Sequence, residues 1–143
     1  APLNTIHTSR VSDEEVAVTQ VPERMLDNLT GAPVLLLVFV DLSVVASFDR
    51  HLDRVGVISG ASIYPFVWNI LLAARHEGLG GTLTTFAAGA ETDVKAHFGV
   101  PDEMALAAMI PMGQPVKQLT KLTRKPVADF VRKEHWHGET LIE

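Results

Sequence analysis

GLGGTLTTF, from Gly78 to Phe86, is the stretch on which the reading of this chain turns. It follows LLAAR (Leu71–Arg75), the end of a segment from Val55 to Ala74 that carries no charged side chain. A helix ending at a glycine, a tight turn and a β-prone run of small and hydroxyl residues together describe backbone built for close approach. Glycine tolerates positive φ and has no side chain, so a flat or phosphorylated ligand can meet bare N–H and C=O groups there. The same glycines also read as a helix C-cap leading into an ordinary strand. The surrounding segments have to decide.

Upstream, Gly60–His76 reads as a long helix, with Pro65 either opening its main segment or kinking it. A helix apolar on nearly all faces in a soluble protein is buried on nearly all faces, which points to a central helix shared with a partner subunit. Further back, PVLLLVFV (Pro33–Val40) is a continuous branched run, expected to be a strand covered on both faces. Pro22 opens a helix over Glu23–Leu29 that Gly31 ends. Ser12 with Glu15 forms a capping box for a short helix near Ser12–Val18. Asp41–Arg54 is a mixed, partly helical connector.

Downstream, Thr82–Phe86 is expected to form a second strand. Glu91–Phe98 forms a helix stopped by Gly99, and Ala105–Met112 a third strand. Val116–Arg124 is a basic loop, Lys125-Pro126 opens a last short helix to about Val131, and the polar tail from His135 lies over another surface. Three strands among helices make an α+β fold, with residues 1–143 as a single domain.

Composition narrows the function. The 143 residues are 47% hydrophobic with a net charge of −5. That apolar share is high for a monomer and points to surface buried between subunits, hence a homodimer. No basic stripe spans the chain, which argues against nucleic acid. With no cysteine, thiolate nucleophiles, disulfides and Cys-ligated metals are excluded. Gly56, Ser59, Gly60, Ser62, Pro65 and Asn69 interrupt the uncharged run, so it is not read as a membrane span. No charged n-region precedes an apolar one at the N-terminus, and the cytoplasm is the expected compartment. His135 and His137 flank Trp136 without a third ligand at metal spacing, so no metal site is expected. Ser59 and Ser62 lack a nucleophile elbow. Tyr64 and Trp68, four apart on one helical face, read as core or dimer packing.

Taken in order, three segments resemble the FMN-dependent nitroreductase family. GASIYPFVWNILLAARHEGLGGTLTTF is similar to its central helix, turn and strand. FGVPDEMALAAMIPMGQP, from Phe98, looks like the family's helix, G-x-P, strand and G-x-P sequence. Arg124-Lys125-Pro126 with VADFV matches a late basic–Pro–helix element. The resemblance covers roughly Gly31 to Trp136. It implies a nitroreductase-like fold, with a mostly antiparallel central sheet flanked by helices and a long buried central helix at a dimer interface. The family's N-terminal Arg-rich segment has no counterpart here. The expectation is therefore that the chain corresponds to the C-terminal part of such a domain, with that first segment missing or separate.

The resemblance also implies the chemistry. Leu83, Thr84, Thr85 and Phe86 would pass along the isoalloxazine of FMN with backbone N–H groups facing its N5 and O4 edge, a contact that tunes the reduced ring. Arg124 matches the basic residue that pairs with the ribityl phosphate, a task suited to a guanidinium. Relatives carry a second basic residue two positions earlier, where this chain has Leu122 with Lys121 beside it. Lys117 and Lys125 read as solvated charges. Without the resemblance, Lys117–Lys125 is simply an exposed basic loop. The implied reaction is ping-pong: NAD(P)H gives a hydride to FMN and leaves, then a nitroaromatic or quinone takes the electrons. No protein side chain is nominated as catalytic, because the cofactor carries the hard step. Two alternatives stand beside this reading: a flavin-binding or flavin-sequestering protein without turnover, and a structural subunit of the same fold.

Overall fold

The computed structural model describes residues 23–118 and 120–141; the short helix read over Ser12–Val18 lies outside them. Helix α1 is Glu23–Thr30, strand β1 Val34–Asp41, helix α2 Ile63–His76, strand β2 Gly80–Gly81, helix α3 Glu91–Phe98 and strand β3 Met104–Gly113. The three strands form one antiparallel sheet in the order β1-β3-β2. No helix among the described residues is long and apolar enough to cross a membrane.

One face of this sheet makes the core. Val38 of β1 pairs with Ala108 of β3, and Leu36 with Ile110. Val67 of α2 packs against Val38, Ala108 and Ile110, and Ile63, Ile70, Leu71 and Met112 close around them. The helical members fall at i, i+4, i+7 and i+8, the spacing of one helical stripe. Alanine at position 108 lets the helix approach the central strand closely. Val67 and Ile110 are fully buried.

The central position belongs to β3, and β1 lies at an edge. The run Leu106–Ile110 is buried throughout, whereas Val34 and Leu35 of β1 remain about half exposed at 49% and 48%. The apolar continuity of β1 therefore does not correspond to cover on both faces by the described residues. Helix α2 is likewise covered on one side only among the described residues. Only Val67 and Ala74 of it are buried, while Tyr64, Phe66, Trp68 and Leu72 are exposed. Tyr64 and Trp68 are thus not core residues of this chain. Pro65 is the third residue of α2, inside the first turn where its missing N–H is not needed, so it opens the helix without kinking it.

The expected last helix from Lys125 is only a 3₁₀ turn, Val127–Asp129. The connector after β1 contains 3₁₀ turns at Leu42–Val44 and Ile58–Gly60. Asp49 organises it. Its carboxylate is buried (5% exposed), and one oxygen, Oδ2, receives Arg54 at 2.8 Å, the Val57 N–H at 2.8 Å and the Ile58 N–H at 3.4 Å.

Candidate functional site

Helix α2 ends at the glycine turn by a Schellman motif. The Leu79 N–H reaches the Ala74 carbonyl at 2.8 Å and the Gly78 N–H reaches Arg75 at 3.1 Å, with Gly78 at φ 78°. A left-handed residue at this position strongly favours glycine. The next glycines serve packing. A Cβ on Gly81 would lie 3.0 Å from Met112 Cγ and 3.1 Å from Leu71 Cδ2; one on Gly80 would lie 3.0 Å from Pro115 Cβ. Gly113 has Pro33 Cδ at 2.8 Å from its would-be Cβ. The space freed by these missing side chains is taken up by the protein itself.

The strand that follows starts and ends earlier than Thr82–Phe86. Gly80 pairs with Gly113 and Gly81 with Met112, and Thr84 bridges Met109. Between them the Thr82 N–H reaches the Pro111 carbonyl at 3.3 Å. Proline has no N–H to return that bond, so the ladder thins at one point while its register continues. Phe86 no longer belongs to the strand, because it begins a 3₁₀ helix, Phe86–Ala90.

This pairing sorts the four predicted residues by what their amides can do. Thr84 both donates to Met109 O at 2.9 Å and accepts from Met109 N at 2.8 Å. The Phe86 N–H is taken by the Thr84 hydroxyl at 3.1 Å. Adjacent strand residues direct their amides to opposite sides, so Leu83 and Thr85 point theirs away from β3, and neither has a partner among the described residues. Thr85 has φ −108° and ψ 15°, the sparsely populated bridge region where residues of functional loops are often found. Both Leu83 and Thr85 are exposed. The strand edge thus offers two exposed backbone donors with no partner among the described residues.

The basic loop leaves the sheet beside this strand. Pro115 packs on Gly80, and the Gln118 side chain donates to the Gly78 carbonyl at 3.3 Å. Beyond that tie, Lys121 and Arg124 are exposed. Among the described residues Arg124 donates only to its neighbour's carbonyl, Thr123 O, at 3.1 Å. No hydrogen bond or ion pair joins Lys121 or Arg124 to Leu83–Phe86, and neither meets a carboxylate among the described residues. Their charges are available to an anion such as a phosphate. A cleft of about 390 Å³ adjoins the strand, with Gly80, Gly81, Thr82, Met112 and Pro115 among its lining.

His135 and His137 line a different concavity, with Phe130 and Trp136. Among the described residues, no group of three or more acidic or histidine side chains could hold a metal ion. Two side chains that sequence reasoning passed over have structural tasks. Glu91, the first residue of α3, accepts the Leu106 N–H at 2.8 Å. The signal for Asp49 was weaker still, since its donors come from five, eight and nine residues downstream. The Val57 N–H is the main influence holding the Asp49 carboxyl below its ordinary value; Arg54 and the Ile58 N–H act the same way, and burial opposes them.

The sequence profile of the nitroreductase family matches residues 5–114. Among solved structures, the chain resembles the 1.50 Å crystal structure of a nitroreductase family protein from Clostridium difficile 630, with a TM-score of 0.56 at 20% sequence identity over 82% of this chain and 71% of that one. At that identity the likeness speaks for the fold. None of the curated proteins matches the chain significantly.

Proposed function

The chain belongs to the nitroreductase family, and from that premise we propose that it is an FMN-dependent NAD(P)H oxidoreductase acting on nitroaromatics or quinones. The observation that carries this reading is the pair of outward amides at Leu83 and Thr85, without partners among the described residues. They are the groups that would donate to the ring edge, while the Thr84 and Phe86 amides are already engaged. The four-residue segment named from sequence thus becomes two donors, flanked by residues that fix them. Arg124, with Lys121 nearby in sequence, would hold the phosphate, since a guanidinium can present two parallel N–H groups to it. The chemistry that FMN supplies when bound is two-electron transfer between NAD(P)H and a small electron-poor acceptor. This chain's part is to bind, orient and supply N–H donors; no acid–base pair is required of it.

A second copy of the chain is the proposed partner, seated on the outer face of α2. Tyr64, Trp68 and Leu72 recur there at i, i+4 and i+8, and are 43%, 60% and 53% exposed. A dimer would give that stripe the cover that the expected buried helix requires.

The test is direct. The purified chain is titrated with FMN and with riboflavin, then assayed for NADH and NADPH oxidation with a quinone and with a nitroaromatic. Flavin binding with turnover supports the proposal. Binding without turnover supports a sequestering protein, and no binding of either flavin refutes the flavin reading.

A further inference from the structure

The register of β1 against β3 slips between Val38 and Phe39, which face Ala108 and Leu106. Ala107 is therefore an extra residue on β3, a β-bulge in the most buried strand. Bulges disturb the ladder and leave backbone groups in need of other partners. Here the Leu106 N–H is satisfied by Glu91 Oε2 at 2.8 Å. Leu106 is 7% exposed, so without Glu91 its amide would be left buried and unpaired.

Glu91 occupies a particular place in the chain. It directly follows the 3₁₀ helix Phe86–Ala90, which packs on β3 and directly follows Thr85. The Ala88 N–H closes this turn on the Thr85 carbonyl at 2.9 Å. The peptide carrying the outward Thr85 N–H is thus pinned on one side by the Thr84–Met109 bridge. On the other side it is pinned by a short turn whose far end Glu91 ties to the bulge. Helix α3 is held at its other end as well, where Lys95 Nζ donates to the Asp102 carbonyl at 2.9 Å.

We propose that Glu91 is a positioning residue of the flavin site: by binding the bulge amide of Leu106, it fixes the turn Phe86–Ala90 and so the direction of the Thr85 N–H. The inference rests on the flavin reading for its functional consequence, but the tie itself is independent of any ligand. What matters is an acceptor at the right reach. Glutamine keeps that acceptor without charge, whereas aspartate keeps the charge and draws it back by one methylene.

The experiment compares Glu91→Gln and Glu91→Asp with the unaltered chain. Amide spectra of ¹⁵N-labelled protein without flavin, hydrogen exchange at Leu106, and affinities for FMN and riboflavin are measured. For Glu91→Asp we expect Leu106 exchange to accelerate about tenfold or more, the scale of one lost hydrogen bond to a charged group. The Thr85 resonance should shift or broaden, and affinity should fall by a similar factor for both flavins, because the contact is to the ring. Glu91→Gln should stay close to the unaltered chain in every readout. An undisturbed Thr85 resonance in Glu91→Asp overturns the proposal. So does a folded Glu91→Gln that departs from the unaltered chain as far as Glu91→Asp does, since an acceptor at the right reach would then not be enough to hold the turn. If the unaltered chain binds neither flavin, the flavin reading fails, and the positioning role toward flavin fails with it; the Thr85 and Leu106 readouts still establish or refute the tie.

Discussion

Replacing Gly81 with alanine separates the two meanings a glycine-rich turn can have. The new methyl would point into the seam between α2 and β3, 3.0 Å from Met112 Cγ, 3.1 Å from Leu71 Cδ2 and 3.5 Å from Ile110 Cγ2. Ile110 is fully buried and cannot yield, so Met112 and Leu71 must move. Overpacking of this kind costs about 1–3 kcal/mol. Alanine also restricts the unfolded chain, which returns about 0.4–1 kcal/mol. The net expectation is a loss of about 1–2 kcal/mol, or about 3–8 °C in melting temperature for a chain of this size. Thermal and urea unfolding followed by circular dichroism read this out, and flavin titration is run on the same samples. Met112→Ala should relieve part of the clash, so the double variant should be more stable than the sum of its singles by about 1 kcal/mol. Gly78→Ala provides the contrast: its Cβ would meet nothing within 4 Å, so its cost, about 1–2 kcal/mol, should come from positive φ alone. A Gly81→Ala protein of unchanged stability with weakened flavin binding would refute the packing argument and return the glycine to the ligand.

Three further outcomes are expected. Arg124→Ala should weaken FMN binding by about 1.5–3 kcal/mol while leaving riboflavin affinity nearly unchanged; equal losses for both would mean that Arg124 acts through folding. Asp49 has its folded pKa depressed below 3.8, chiefly by the Val57 N–H. Its stabilising contribution is therefore full above 3.8 and lost as pH falls through the lower folded value. Acid unfolding of Asp49→Asn should lack this component, and matching slopes for the two proteins below that pH would contradict the assignment. Trp68→Glu places a charge in the exposed stripe of α2 and should shift sedimentation from dimer to monomer without lowering helicity; a dimer unaffected by the change would locate the interface elsewhere.

Much of the fold could be read from residue patterns because those patterns answer to local rules. Gly99 stops α3 in the left-handed conformation, at φ 64°, and the helix spans Glu91–Phe98 as its sequence predicts. Helix α2 was legible as an element but not the face it turns to the sheet: Ile63, Val67, Ile70 and Leu71 pack there, and an uncharged run gives no reason to choose one face over another. The errors come from non-local causes. PVLLLVFV describes a strand well, but which strand takes the sheet centre depends on what else the chain can lay beside it. Alanine-rich β3 won that place, and β1 went to the edge. Lys125-Pro126 carries a helix-start signal, but the segment after it forms only a single 3₁₀ turn. Asp49 and Glu91 were invisible because each is defined by backbone amides whose proximity only the folded chain creates.

The candidate site is the sharpest case of that limit. Composition and order could indicate the run Leu83–Phe86, but not which of its amides face outward. That depends on parity, and parity is set by register: a slip of one residue against β3 would turn the Thr84 amide outward and bury those of Leu83 and Thr85. Three features hold the register. Gly81 alone fits between Leu71 and Met112, Thr84 exchanges both backbone bonds with Met109, and Pro111 can stand only where a returning N–H is dispensable. Moving Pro111 one step would deprive a different pair of a bond and leave Thr82 facing a residue that could pair fully. The segment that opened the sequence reading thus matters in two ways. Its glycines and its facing proline fix the alignment, and that alignment decides which two N–H groups point outward, the pair proposed to face a flavin.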